Sequence, residues 1–237
     1  GIEYILDECI DAGIKEIVFI ISTKKQMIKK YFYSDKFYQN IIKKKKDKRI
    51  IDEYKKILKY KKKIKFVYQN IPKGTGDAVL KTQKFIKNKY FLMLLPDDLI
   101  IKKNCSKAMV RAHKKYKASV MASMKVNKKT VSRWGIYKLN KKLNKTDYVI
   151  DGVVEKPSIK NAPSNNAVIG RYILPRSIFK KIKSLKPSKG NEIHITDAIQ
   201  ELINDKEKFV AHNFEGKYLD CGTMKGYISS SKVIGKL

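Results

Sequence analysis

Two stretches of the chain carry residue types that could bind a phosphorylated ligand and a metal ion. The first is the loop Lys73–Gly76 (KGTG), which leads into an apolar helical pattern. The second is the apolar run Phe91–Leu95, which ends at Pro96, Asp97 and Asp98. Glycines let a ligand approach backbone N–H groups closely, and a carboxylate at a strand end offers a hard oxygen to Mg²⁺. Together the two stretches indicate a ligand site.

Each stretch also has an ordinary structural interpretation. A Gly-x-Gly turn before a helix is commonly a plain turn, and Asp-Asp after a strand is commonly a solvated turn or a helix cap. The combination of the two, with further carboxylates at Glu155 and Asp220, favours the ligand site.

The elements that must position these residues are strands alternating with helices. Apolar runs at 16–21, 64–68 and 91–95 predict strands, and an apolar stripe over 2–10 predicts a helix. Residues 33–63 are charged and predict a lysine-rich loop followed by a surface helix. Ligands bind at the carboxyl edge of open α/β sheets. We therefore predict an α/β fold with one mixed, mainly parallel sheet flanked by helices.

The composition predicts a globular protein without a membrane span. The chain has 237 residues, 43% of them hydrophobic, and no apolar run approaches the ~18 residues that a transmembrane helix needs. Its start does not have the form of a signal peptide, so we expect a cytoplasmic protein. Cys9, Cys105 and Cys221 are odd in number and have no CxxC spacing, which predicts three free thiols and no zinc site.

The formal net charge of +32 raises the alternative of nucleic-acid binding through counterion release. Most of the positive charge is lysine, with a dense block at Lys43–Lys46 and Lys48. Specific readers of nucleic acid favour arginine or interleaved aromatic platforms, and neither accompanies this block. We expect no specific nucleic-acid partner, whereas nonspecific binding to polyanions at low salt remains an expectation.

A series of motifs spans nearly the whole chain. In order, the motifs are Gln69 with Lys73–Gly76, Leu95–Asp98, Trp134–Ile136, Val154–Pro157, Ala162–Asn165, Gly170–Tyr172, Glu192–Ile199 and Asp220–Gly222. In these motifs and their order the chain resembles the bacterial UTP–glucose-1-phosphate uridylyltransferases. The Glu-Lys-Pro, Ala-Pro-Ser-Asn and Gly-Arg-Tyr motifs separate this group from its thymidylyl and adenylyl relatives.

The resemblance implies a nucleotide-diphospho-sugar transferase fold, which is Rossmann-like, and the reaction of UTP with glucose 1-phosphate to give UDP-glucose and pyrophosphate, with Mg²⁺ as cofactor. Carried over position by position, it implies that Gln69 and Gly74 contact the uracil. It also implies that Asp97 and Asp220 hold the metal ion.

For the sugar, the resemblance implies that Gly135 and Glu155 bind the glucose hydroxyls and that Lys156 meets the sugar phosphate. Lys156 and Asp97 would then be the catalytic residues, because joining two anions requires positioning and charge neutralisation. The family also implies a homodimer or homotetramer.

One departure from the family concerns the start of the chain. The family begins with a glycine-rich loop that holds the triphosphate, and Gly1 corresponds to a point within the helix that follows it. We therefore expect residues 1–237 to form a single nucleotidyltransferase domain truncated at its amino end and close to inactive as it stands. The alternatives are a related transferase for another base or sugar 1-phosphate, and an inactive polyanion-binding protein.

Overall fold

The computed structural model describes residues 1–33, 35–45 and 47–236. Its helices are α1 Ile2–Asp11, α2 Gln26–Tyr33, α3 Asp35–Lys45, α4 Lys48–Lys61, α5 Thr75–Leu80, α6 Cys105–Tyr116, α7 Ile178–Ser184, α8 Ile195–Asn204 and α9 Met224–Ile234. Its strands are β1 Ile17–Ile21, β2 Ile64–Tyr68, β3 Tyr90–Leu94, β4 Asp98–Ile101, β5 Ser119–Lys125, β6 Gly135–Lys142, β7 Asp147–Glu155, β8 Asn166–Pro175, β9 Phe209–Asn213 and β10 Lys217–Asp220.

Contacts divide the chain into two compact units. The first comprises the described residues of Gly1–Gly13, Asn88–Leu185 and Thr196–Leu237, and the second those of Ile14–Lys87 and Lys186–Ile195. The expectation of a single domain remains a prediction.

The first unit contains a six-stranded sheet in the order β3-β8-β5-β9-β7-β6, and a two-stranded sheet formed by β4 and β10. Helix α6 packs against β5 and β8, and α1 packs against α6. Helix α6 begins after Asn104, whose side chain accepts a hydrogen bond from the Lys107 backbone N–H, and it buries Cys105, Met109 and Ala112 on one face. Those positions repeat at helical spacing, so one stripe of α6 covers the sheet.

The second unit contains the parallel pair β1–β2, in register from Ile17↔Ile64 to Ile21↔Tyr68. Its aromatic side chains pack together: the Phe19 ring stacks on Phe66 with centroids 5.6 Å apart, and on Phe32 at 6.0 Å. Helix α2 supplies Phe32 and packs against α4.

The mixed sheet is confirmed, but the prediction that it is mainly parallel is wrong. Among the described strands, parallel pairing occurs between β1 and β2 and between β5 and β9, and the other pairings are antiparallel. A strand that is buried on both faces is typical of a parallel sheet, but this sheet shows an exception. Strand β8 is buried along nearly its whole length and runs antiparallel to both β3 and β5.

The predicted lysine-rich loop within 33–63 is also wrong, because α3 covers Asp35–Lys45. Lysine is a good helix former, so a run of lysines does not end a helix. Lys46, which belongs to the dense block, lies outside the described residues. Helix α4 follows, and the Asp47 side chain caps it by accepting from the Arg49 N–H.

No helix in the described part of the chain is both long and apolar enough to cross a membrane. The three cysteines are unpaired, as predicted, with Cys9 and Cys105 buried and Cys221 half-buried.

Candidate active site

The carboxylates of Asp97 and Asp220 are brought together in the first unit. Asp97 lies in the turn between β3 and β4, and Asp220 ends β10. The register of β4 and β10 sets Asp98 opposite Asp220, and the Cys221 N–H donates to the Asp97 carbonyl at 2.7 Å. A Cβ atom added to Gly222 would lie 2.8 Å from Asp97 Oδ2 and 3.5 Å from Asp220 Oδ1. The two carboxylates therefore converge on the space that a glycine at 222 leaves open.

The residue that caps α9 is Thr223 rather than Asp220. The Thr223 hydroxyl accepts from the Gly226 N–H at 3.0 Å, at the start of α9. Asp220 Oδ1 accepts from the Gly222 N–H at 2.8 Å, and Oδ2 accepts from the Thr223 hydroxyl at 3.2 Å. These bonds hold the Asp220 carboxylate toward Asp97.

This donor set fits a magnesium ion. Mg²⁺ prefers hard oxygen ligands and is commonly held by one or two carboxylates, with phosphates and water completing its coordination. Within the described residues no cluster of three or more His, Cys, Asp or Glu side chains could hold a metal. Asp97 and Asp220 could therefore supply part of the coordination of a metal ion, with the phosphates of a bound substrate and water supplying the rest.

Asp98 has a different role from its neighbour Asp97. Its Oδ2 accepts from the Gly170 N–H at 2.8 Å, and its Oδ1 accepts from the Tyr218 hydroxyl at 2.5 Å. Burial raises the pKa of Asp98, although both hydrogen bonds act to lower it. This carboxylate ties the turn to β8 and β10, which the Asp-Asp pair in the sequence could not reveal.

Gly135 and Glu155 are paired residues of the antiparallel strands β6 and β7. A Cβ atom on Gly135 would lie 3.0 Å from Glu155 Oε2, so the Glu155 carboxylate lies directly beside the glycine. Strand β7 ends at Glu155, two residues before Pro157, whose nitrogen cannot donate to a strand ladder. The two residues that the resemblance assigns to the sugar are therefore neighbours across one ladder.

Lys156 follows directly and adopts φ 44°, a left-handed conformation that is uncommon for a residue other than glycine. Its N–H donates to the Trp134 carbonyl at 3.0 Å. The Lys156 ammonium lies 3.9 Å from Glu155 Oε1, and both side chains are 61% exposed. An ion pair this exposed is weak, so both groups can exchange it for a ligand.

Gln69 and Gly74 belong to the second unit and are in contact with each other. The Gln69 Nε2 group donates to Asp77 Oδ2 at 2.8 Å and to the Gly74 carbonyl at 3.2 Å. Gly74 has φ 93°, and a Cβ there would lie 2.5 Å from the Ile193 carbonyl oxygen. The Gly76 N–H donates to that same oxygen at 2.7 Å. The loop therefore requires glycine because it packs closely against its own chain, whether or not a ligand binds there.

Sequence reasoning missed Asp77 and Tyr218, and two buried residues, Glu8 and Arg171. Arg171 donates to the carbonyls of Leu95 and Asp98, on either side of Asp97, and pairs with Glu8 of α1. The signal for Arg171 in the sequence is the Gly-Arg-Tyr motif at 170–172, which distinguishes subgroups but does not by itself indicate which residues Arg171 contacts.

Comparisons with known proteins agree with this geometry. The protein-family description "Nucleotidyl transferase" matches residues 2–236. The UTP–glucose-1-phosphate uridylyltransferase of Streptococcus pyogenes is 34% identical over 238 residues, which cover 97% of this chain and 76% of that one. A UDP-glucose pyrophosphorylase crystallised with UDP-glucose is 34% identical with a TM-score of 0.84, covering 99% of this chain and 86% of that one. A UTP-bound UGPase from Acinetobacter baumannii is 29% identical with a TM-score of 0.87, covering 99% of this chain and 81% of that one. These matches confirm the predicted nucleotide-diphospho-sugar transferase fold.

Proposed function

The chain belongs to the nucleotidyl transferase family, and we propose that it transfers the uridylyl group of UTP to glucose 1-phosphate, forming UDP-glucose and releasing pyrophosphate. The observation that carries this proposal is the 34% sequence identity to a UTP–glucose-1-phosphate uridylyltransferase over 97% of the chain. The paired carboxylates at Asp97 and Asp220, together with the exposed Glu155 and Lys156, support it.

Asp97 and Asp220 would hold Mg²⁺, which when bound neutralises charge on the triphosphate. A phosphate oxygen of glucose 1-phosphate attacks the α-phosphorus of UTP, the new oxygen–phosphorus bond forms, and the bond to the β-phosphate breaks with pyrophosphate as the leaving group. No proton has to be moved, so the protein contributes positioning and charge neutralisation. Lys156 would neutralise the attacking phosphate.

Gly135 and Glu155 would bind the glucose hydroxyls. A carboxylate accepts hydrogen bonds from hydroxyl groups, and the Glu155 carboxylate is exposed beside a residue that has no side chain. The ring can therefore approach the backbone at Gly135 while its hydroxyls meet Glu155.

Gln69 and Gly74 would contact the base. The Gln69 Nε2 group already donates to Asp77 and to Gly74. The side-chain carbonyl oxygen of Gln69 would therefore be the atom that faces the base. That oxygen accepts from the N3–H of uracil, whereas N3 of cytosine carries no hydrogen. The arrangement favours UTP over CTP.

We also propose that the protein acts in the cytoplasm as a homodimer or homotetramer. Three unpaired cysteines suit a reducing compartment. Met224 and Tyr227 of α9 are 76% and 58% exposed, and exposed apolar side chains of this kind support contact with a further subunit. Light scattering after size-exclusion chromatography measures the mass.

The test is a panel of nucleoside triphosphates and sugar 1-phosphates in a pyrophosphate-release assay with Mg²⁺, run on the protein expressed from its complete gene, in which UTP with glucose 1-phosphate should give the highest kcat/KM. Asp97→Ala and Asp220→Ala should each abolish turnover and leave the melting temperature unchanged. Lys156→Ala should impair turnover and glucose 1-phosphate use, whereas the exposed control Lys44→Ala should change neither. A higher rate with another pair of substrates would show that the proposed reaction is not the main one. Equal effects of the Lys156 and Lys44 substitutions would show that Lys156 contributes only to the general positive charge of the surface.

A further inference from the structure

Tyr218 connects residues that the proposed reaction uses and is itself assigned no role. It lies on β10 two residues before Asp220, so the two side chains share one face of the strand. Its hydroxyl donates to Asp98 Oδ1 at 2.5 Å. A tyrosine hydroxyl carries a proton that it can donate to a carboxylate.

The bond between Tyr218 and Asp98 fixes the turn that carries Asp97. Asp98 is already opposite Asp220 in the β4–β10 ladder, and its second oxygen is held by the Gly170 N–H. A side-chain bond from β10 to Asp98 therefore adds a second link between the two carboxylate-bearing segments.

The ring of Tyr218 contacts Trp134, the residue before Gly135. It packs edge-on against Trp134, with centroids 5.6 Å apart and planes at 72°. The Trp134 carbonyl accepts from the Lys156 N–H, and Gly135 is the next residue in the chain. Tyr218 thus contacts the segment that holds Lys156 with its ring and the segment that holds Asp97 with its hydroxyl.

We propose that Tyr218 is a positioning residue that sets the separation of Asp97 and Asp220, and through Trp134 their placement relative to Lys156. This inference rests on the proposed function for its role in turnover. Its effect on the two carboxylates is independent of the reaction and can be measured with a metal ion alone.

The test variant is Tyr218→Phe, which removes the hydroxyl and keeps the ring. Its control is Tyr116→Phe, which deletes a hydroxyl that donates to the buried carboxylate of Asp147 at 2.8 Å. Asp147 begins β7 and Glu155 ends it, so the control lies about 25 Å from the sugar residues at ~3.3 Å per residue. The two variants make the same chemical change at a tyrosine–aspartate bond.

Three measurements separate positioning from folding: Mn²⁺ affinity without nucleotide by electron paramagnetic resonance, kcat and KM for glucose 1-phosphate, and the melting temperature. Tyr218→Phe should weaken Mn²⁺ binding and lower kcat by about threefold to tenfold each, as expected for the loss of one hydrogen bond. Tyr116→Phe should leave Mn²⁺ affinity and kcat unchanged. The fluorescence of Trp134, the one tryptophan in the sequence, should be the same in Tyr218→Phe and the wild type, because the ring contact persists.

Asp98→Asn provides a second variant of the same size. One of its two acceptor oxygens becomes an N–H₂ donor, so the bond from Tyr218 or from Gly170 is lost, and the variant should reproduce the loss of Mn²⁺ affinity. If the wild type forms UDP-glucose and Tyr218→Phe matches Tyr116→Phe in Mn²⁺ affinity and kcat, the positioning inference is overturned. If Mn²⁺ affinity falls in Tyr218→Phe but the wild type forms no UDP-glucose, the link to the carboxylates holds and the proposed function fails.

Discussion

The buried ion pair of Glu8 and Arg171 offers a sharp test of what holds the carboxylate turn in place. Arg171 is fully buried, and its guanidinium donates to both Glu8 oxygens, with Nη2 2.9 Å from Oε2. The Ser106 N–H and hydroxyl donate to Glu8 Oε1 at 3.1 and 2.6 Å. Glu8→Gln is predicted to destabilise the protein strongly.

The magnitude follows from what the substitution leaves behind. Glutamine keeps the size of Glu8, but it removes the charge opposite a fully buried guanidinium. Its amide N–H₂ must also face either Ser106 or Arg171, both of which are donors at this point. Breaking a buried ion pair in this way costs about 3–5 kcal/mol. In a protein of this size that lowers the melting temperature by about 6–20 °C.

The assay is thermal and urea denaturation of the wild type, Glu8→Gln and a matched control, Glu16→Gln. Glu16 accepts from Lys65 at 2.7 Å, but their side chains are 64% and 48% exposed. An exposed pair contributes little, so the control should melt close to the wild type. If both variants shift the midpoint equally, burial does not set the strength of the Glu8–Arg171 pair and the reasoning is refuted.

Three further predictions concern the site, acid stability and the thiols. Gly222→Ala should weaken apparent Mg²⁺ affinity in a metal titration of activity without altering the melt, because its Cβ would lie 2.8 Å from Asp97 Oδ2 on an exposed loop; an unchanged affinity would contradict the convergence of the carboxylates. Burial acts to raise the pKa of Asp147, but the hydrogen bonds that its carboxylate accepts outweigh it, so the pKa is lowered. The stabilisation it gives is present above the ordinary pKa of 3.8 and is lost as pH falls below it, so melts between pH 5 and 3 should fall more steeply for the wild type than for Asp147→Asn; parallel curves would argue against this. Burial raises the pKa of Cys9 to about 12, so iodoacetamide at pH 8 should label Cys221 in the native protein and Cys9 only after unfolding, as mass spectrometry can determine; early labelling of Cys9 would show that α1 opens readily.

The sequence was informative where a single segment decides the structure. The strands that end next to Gln69 and at Glu155 could be predicted, because apolar residues dominate both strands and polar residues follow them. Strand direction could not be predicted in the same way. Whether β8 runs parallel or antiparallel to its neighbours depends on how distant segments pair, and its own apolar pattern is the same in either case.

The different roles of Asp97 and Asp98 show the same limit within the site. In the sequence the two residues are adjacent and chemically identical. They separate because β4 begins at Asp98, which turns one carboxylate toward Gly170 and Tyr218 and leaves the other exposed beside Gly222. The partners that decide between metal ligand and structural brace lie far along the chain, so no local pattern could assign them.

The Gly-Arg-Tyr motif gains a physical explanation from the same contacts. A Cβ on Gly170 would lie 2.6 Å from Asp98 Oδ2 and 2.6 Å from Leu95 Cβ, so the residue must be glycine for the turn to close against β8. Arg171 then holds the carbonyls of Leu95 at 3.1 Å and Asp98 at 2.6 Å, and its charge is balanced by Glu8 from the first helix. The exposed carboxylate of Asp97 is therefore placed by residues that need not touch a ligand. Because the proposed metal ligand must be held in a fixed position, substitutions at Gly170, Arg171 or Glu8 should disturb the site as well.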